Sequence, residues 1–216
     1  MLRVNLIGAG DIKYHYFELL NIPEKEFNKH LDEIAKVLLD FEIILLPDKG
    51  VNFEVAKRYK QIGGKKAIGT VPVSDKDFGI KHMKPYIDAD VDGKKIFDEI
   101  IDTENWYKQD STLSLFGDVV LMLGNSLGSL GELVYGFYLY KLFLGAKPGV
   151  KVTAKKIHPK ARAGETIPFS VIIYRPFLKE KLNYEIEAYI KRFGNIYYVN
   201  NAQELRSVLD DLSSKC

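Results

Sequence analysis

The stretch Asp118-Val-Val-Leu-Met-Leu-Gly-Asn-Ser-Leu-Gly-Ser-Leu-Gly-Glu132 decides how the rest of the chain reads. An apolar run long enough for one buried strand passes into a glycine-rich turn, and the turn opens a helix with a carboxylate in its first turn. Backbone N–H groups at Gly128, Ser129 and Leu130 are expected to point out of that helix start, where the macrodipole also favours negative charge. A phosphate can be held there without a lysine, and Glu132 is placed to reach a sugar hydroxyl. The same residues also spell a capping box, Ser129-Leu-Gly-Glu132, in which Glu132 bonds back to the Ser129 N–H. Spacing alone leaves the anion site and the cap both open.

Outward from this stretch, strands and helices alternate. Arg3–Ile7 is an apolar strand ending in Gly8-Ala-Gly10, and Phe27, Leu31, Ile34, Ala35 and Leu38 mark a helix with Pro23 near its start. Glu42–Leu46 is a second strand, stopped by Pro47-Asp-Lys-Gly50. Phe53, Ala56 and Tyr59 then predict a helix ended by Gly63-Gly64, and Ala67–Val71 is a third strand. From Val73 to Lys108 the pattern weakens into an excursion over the sheet edge, with a helix expected around Lys94–Ile101. Asn105-Trp106-Tyr107 reads either as a ligand cover or as packing, and Asp110 as the N-cap of a short helix through Phe116. Beyond the glycine turn, Phe169–Tyr174 and Ile196–Val199 are strands, Tyr184–Ile190 lies in a helix, and Asn201-Ala-Gln-Glu204 caps the last one. Apolar strands joined by helical crossovers are buried on both faces, so the fold class is α/β with a mostly parallel central sheet, in a single domain spanning 1–216.

Composition limits the function classes. Thirty-one Lys and Arg against 29 Asp and Glu leave a formal net charge of +2, which gives no general argument for a nucleic-acid or membrane partner. The single cysteine, Cys216, excludes an internal disulfide framework and a cysteine zinc site. The four histidines have no ligand spacing, so no metal site is expected. The apolar runs are far below the ~20 residues of a membrane helix, and the chain reads as cytoplasmic. The helix 129–144 is apolar or aromatic nearly all round, so one side must pack on the sheet and the other is expected to meet a second subunit, making a homodimer. The connection 145–168 carries Lys151, Lys155, Lys156, His158, Lys160 and Arg162 before its first acid, Glu165, and reads as an inserted basic loop.

The segment from Gly50 to Gly64, followed by Ala67–Val71 and Pro72, resembles the second βα unit of the LOG-like, "lysine decarboxylase-like" Rossmann proteins. Asp118–Glu132 resembles that superfamily's signature, proline-glycine-glycine-x-glycine-threonine-x-x-glutamate, with Gly128, Ser129 and Glu132 at its glycine, threonine and glutamate positions. The resemblance implies a Rossmann-like three-layer sandwich, usually dimeric, that holds a nucleotide or nucleotide-derived ligand at the C-terminal ends of its strands. A purine nucleotide or a pterin-type phosphate is the ligand class it suggests.

The departures select among branches. Members that cut the N-glycosidic bond of a nucleoside monophosphate carry an arginine-lysine pair before the signature strand, where this chain has Gln109 and Asp110. Glutamine has neither the charge nor the fork with which arginine grips phosphate. The signature's glycine pair falls on Asn125-Ser126, and the first glycine cluster is reduced to Pro47-Asp48-Lys49-Gly50. These changes place the chain nearest the molybdenum-cofactor carrier branch of the same superfamily.

The expected reading is therefore a small-molecule phosphate binder without established turnover, its contacts drawn from Gly8, Ala9, Gly10, Lys49, Gly50, Gly124, Asn125, Ser126, Gly128, Ser129 and Glu132. Gly8 and Gly10 also read simply as a tight turn, and Lys49 as an exposed turn lysine. The alternative is a phosphoribohydrolase with Glu132 as the catalytic carboxyl, which requires burial to raise its pKa. A single-stranded nucleic-acid binder using Lys151–Arg162 is a further alternative. Few aromatics interleave with those charges, which favours a solvated loop.

Overall fold

The computed structural model describes residues 1–144 and 154–216; Lys151 and the rest of 145–153 lie outside them. The strands are β1 (Arg3–Ile7), β2 (Glu42–Leu45), β3 (Lys66–Val71), β4 (Asp90–Val91), β5 (Lys94–Lys95), β6 (Glu99–Asp102), β7 (Val119–Met122), β8 (Ser170–Tyr174) and β9 (Asn195–Val199). Seven of them form one sheet in the order β6-β3-β2-β1-β7-β8-β9, every pair parallel, while β4 and β5 make a small antiparallel hairpin. The principal helices are α1 (Glu24–Leu38), α2 (Val51–Gln61), α3 (Lys84–Ile87), α4 (Trp106–Thr112), α5 (Leu127–Leu144), α6 (Tyr184–Phe193) and α7 (Ala202–Ser213). α1 packs on α2 and α7, whereas α5 packs on α4 and α6. The result is the expected three-layer α/β sandwich. No helix among the described residues is long and apolar enough to cross a membrane.

Two local expectations are corrected. The helix expected around Lys94–Ile101 is instead β5 and β6, the latter the parallel edge strand beside β3. An edge strand needs only one buried face, and here Ile101 is buried while Ile100 is 36 % exposed, too short an alternation to separate from a helix by period. The N-cap of α4 is Asn105, whose Oδ1 accepts the Lys108 N–H at 3.0 Å, so Asp110 lies within the helix.

The direction of the crossovers makes the crevice. From β1 the chain steps through β2 and β3 toward one edge, and from β7 through β8 and β9 toward the other. With right-handed crossovers the two series put their helices on opposite faces, so the loops after β1 and β7 part at the C-terminal ends of those strands. Lys13–Leu19, a π-helical turn, brings Tyr16 under that parting. Its ring is fully buried against Phe27 and Phe177, with centroids 4.7 and 5.0 Å away. Its hydroxyl donates to the Leu123 carbonyl after β7 and faces the Ala9 N–H after β1. Tyr16→Phe leaves both buried backbone groups short of a partner. Urea unfolding is expected to show a loss of about 1–3 kcal/mol, and an unchanged midpoint is the contrary result.

Candidate functional site

Two helix N-termini flank β1 at the crevice. On the β2 side, Gly50 precedes α2 with φ +127°, and a Cβ there would lie 2.7 Å from both the Ala9 carbonyl oxygen and the Gly10 Cα. Only glycine lets the loops after β1 and β2 approach so closely. The Val51 N–H then donates to the Ala9 carbonyl at 3.1 Å. Gly8 is packed beneath the same helix, since a Cβ would lie 2.4 Å from the Val51 side chain. Gly10 shows no such requirement, its added Cβ meeting only the Lys49 carbonyl oxygen at 3.5 Å. Gly10, Lys49 and Gly50 come together with Asp11, Phe53 and Tyr86 around a cleft of about 330 Å³. Phe53 and Tyr86 meet edge to face, 5.0 Å between centroids, and give the cleft an aromatic wall. Sequence reading did not find these two, because Tyr86 arrives from the weakly patterned excursion.

On the β7 side, Gly124 turns the chain with φ +157°, and a Cβ on it would lie 2.6 Å from the Tyr16 hydroxyl. α5 follows, and its cap is not the Ser129–Glu132 box. Ser126 N–H donates to Ser129 Oγ at 2.9 Å, Ser129 N–H donates to Ser126 Oγ at 3.2 Å, and Ser129 Oγ donates to the Gly124 carbonyl at 2.8 Å. Leu130 N–H makes the first helical bond, to the Ser126 carbonyl at 2.9 Å. Two of the three amides expected to be open, those of Ser129 and Leu130, are therefore engaged within the chain. Gly128 N–H, and Leu127 N–H one residue earlier, have no acceptor among the described residues. Asn125 and Gly128 are exposed and Leu127 is 93 % exposed, so this mouth opens to solvent. Ala9 supplies no free amide, since its N–H faces Tyr16 and its carbonyl holds Val51.

Glu132 is half-buried where α5 packs on α4. Burial, with a smaller push from the Asp110 carboxylate, raises its pKa to about 8, and partial desolvation raises that of Asp110 as well. Near neutral pH the raised pKa favours the uncharged form of the Glu132 carboxyl. Gln109 does not stand in for a phosphate-gripping arginine. It is fully buried, its Oε1 accepting from Thr103 Oγ1 at 2.7 Å and its Nε2 donating to Thr70 Oγ1 at 2.9 Å. Trp106 stacks on His82 at 5.4 Å and donates Nε1–H to the Gly79 carbonyl at 3.1 Å, the packing alternative for that residue.

Three cations in the described part of the basic connection have acidic partners. Lys155 pairs with Glu165 at 3.1 Å, Lys160 pairs with Glu99, and Arg162 reaches the buried Asp118 at 2.9 Å. The Lys160 and Arg162 pairs attach the connection to the sheet, and all three leave those charges less available to a polyanion.

The chain matches no family model and no curated protein. Solved structures share its fold. A Moco carrier protein from Chlamydomonas reinhardtii superposes with a TM-score of 0.58 at 15% identity, over 100% of this chain and 99% of that one. A molybdenum cofactor binding protein from Rippkaea orientalis gives 0.58 at 13% identity, over 98% and 97%. At such identity the likeness is one of fold, a Rossmann-like sheet with the same span.

Gln109→Arg is expected to cost about 3–5 kcal/mol of stability, because it buries a charge with no partner between two threonines. Chemical denaturation measures the loss, and a variant as stable as the parent would show that this side chain reaches solvent.

Proposed function

We propose that the chain is a binding protein of the LOG-like superfamily, nearest the molybdenum-cofactor carrier branch, that holds a nucleotide or nucleotide-derived phosphate without cutting it. The observation that carries this reading is the α5 mouth, where the Leu127 and Gly128 amides lack protein acceptors beside an exposed opening. The phosphate docks there. The cleft on the other side of β1 receives the ring system, with Phe53 and Tyr86 as its apolar wall and Lys49 at its rim. Two fold neighbours described by their cofactor-carrying role point in the same direction. With Glu132 protonated and Gln109 inside the core, the site has neither a base nor an arginine to drive bond cleavage.

A phosphoribohydrolase is the second reading, because a carboxyl with its pKa raised to about 8 is suited to general-acid work. Incubation with nucleoside monophosphates separates the two. Binding without release of free base supports the carrier reading, with Glu132→Gln retaining affinity. Release of base that Glu132→Gln abolishes overturns it. Bound ligand at a hundred times its dissociation constant adds about 2.7 kcal/mol, readable as a thermal shift.

The pH dependence has a definite sign. Between the ordinary carboxylate value of 4.5 and about 8, the folded chain keeps a proton on Glu132 that the unfolded chain has lost, so stability falls as pH rises through that window. Above about 8 the new charge near the start of α5 also weakens anion binding. Glu132→Gln is expected to flatten both profiles, and a wild-type profile flat from pH 5 to 9 contradicts the assignment.

The same reading includes a homodimer through α5. Its outer face exposes Val134, Tyr135, Tyr138 and Leu142, and between it and α6 runs a groove floored by Phe137, Ile186 and Ile190. A second copy of the chain covers this face. Light scattering is expected to give twice the chain mass, falling to one chain in Tyr138→Glu.

A further inference from the structure

Beneath the glycine turn lies a side chain that the binding reading has not used. His15 is 7% exposed, and its Nε2 is buried with no hydrogen-bond partner among the described residues. The π-helical turn presses this nitrogen against Gly124, where an added Cβ would lie 3.3 Å from it. The Tyr16 hydroxyl and the Ala9 N–H converge on the same point, at 2.6 and 3.3 Å. An orphaned nitrogen in a buried ring is costly to keep, and π-helical insertions recur where a side chain serves a function.

We infer that His15 is the proton-coupled member of the anion site: when an oxyanion settles on the Leu127 and Gly128 amides, Nε2 takes a proton from water and the imidazolium offsets the ligand's charge from below Gly124. This inference rests on the phosphate site proposed above and adds a selection for doubly charged oxyanions, such as phosphate monoesters, over singly charged ones.

Among the described residues, the carboxylates on the turn that carries His15 are turned to other partners. Burial lowers the His15 pKa, and the Phe177 carbonyl opposes this only in part, so the ring is neutral while the site is empty. On its own turn, exposed Lys13 and Glu18 face each other at 3.7 Å, and Asp11 uses its carboxylate to accept the Tyr14 N–H. Burial keeps the Tyr16 phenol un-ionised. The turn after β7 brings only the Ser126 and Ser129 hydroxyls. The turn after β8 brings Arg175, and α1 brings His30, whose Nδ1 meets the Tyr174 hydroxyl at 2.7 Å. A ligand dianion is then the strongest source of negative potential near Nε2.

The test is an NMR titration of the four histidine side chains in the full chain, with and without saturating sulfate, whose own charge is constant between pH 5 and 9. Assignment comes from substituting His30, His82 and His158. Sulfate is expected to shift the Gly128 amide and to raise the His15 pKa by a unit or more. Affinity should fall about tenfold for each unit of pH increase between the free and bound values. His15→Gln should bind sulfate with no pH dependence in that interval. If the Gly128 amide shifts while the His15 titration stays where it was, the inference fails and the phosphate site stands. If sulfate, phosphate and AMP all leave the Gly128 amide unmoved, both fail together.

Discussion

One phenol holds the crevice in shape. Tyr16 joins the Leu123 carbonyl to the Ala9 amide, in the turns just after two adjacent strands whose chains then depart to opposite faces of the sheet. No helix spans that parting, so its walls depend on short loops, and short loops stay put only where their polar groups are tied. Phe27 and Phe177 exclude water from around the ring, which strengthens the hydroxyl's bonds. Gly124 must be glycine for the hydroxyl to arrive at all.

The resulting site attracts negative charge with little formal positive charge. The proposed site offers amide dipoles at the starts of α2 and α5, and burial raises the Glu132 pKa. In the proposed reading, such a site would hold a ligand by geometry and by partial charges that need no rearrangement. Gln109 lies in a threonine-lined core pocket, away from the solvent-open mouth of α5.

At the other end of the sheet the charges have structural work. Asp118 accepts the Arg3 N–H at 2.8 Å and pairs with Arg162, while Arg3 also meets Glu42 at 3.0 Å. These ties secure the starts of β1, β2 and β7, and through Arg162 the end of the long connection. The basic cluster seen in the sequence therefore has acidic partners that sequence distance hides: Lys160 and its partner Glu99 lie 61 residues apart.

Strand and helix order, the parallel sheet and the two glycine turns were legible in the amino-acid sequence, because each rests on local rules: buried strands read as continuous apolar runs, and helices announce themselves by period and cap. The closing helix shows this, with Asn201 accepting the Glu204 N–H at 2.9 Å as its spacing implied. Four matters were settled by the tertiary structure alone. A one-sided edge strand, β6, had too short a pattern to separate from a helix. Ser126 rather than Glu132 became the partner of Ser129, while the Glu132 side chain lies near Asp110 of α4. Tyr86 reached the cleft from a segment without periodicity. His15 and Tyr16 came to lie under a turn more than a hundred residues away, through a π-turn that has no repeating signature. Local chemistry determines which elements form, but which side chains meet at the crevice depends on contacts between residues distant in sequence, and those follow from how the finished layers pack.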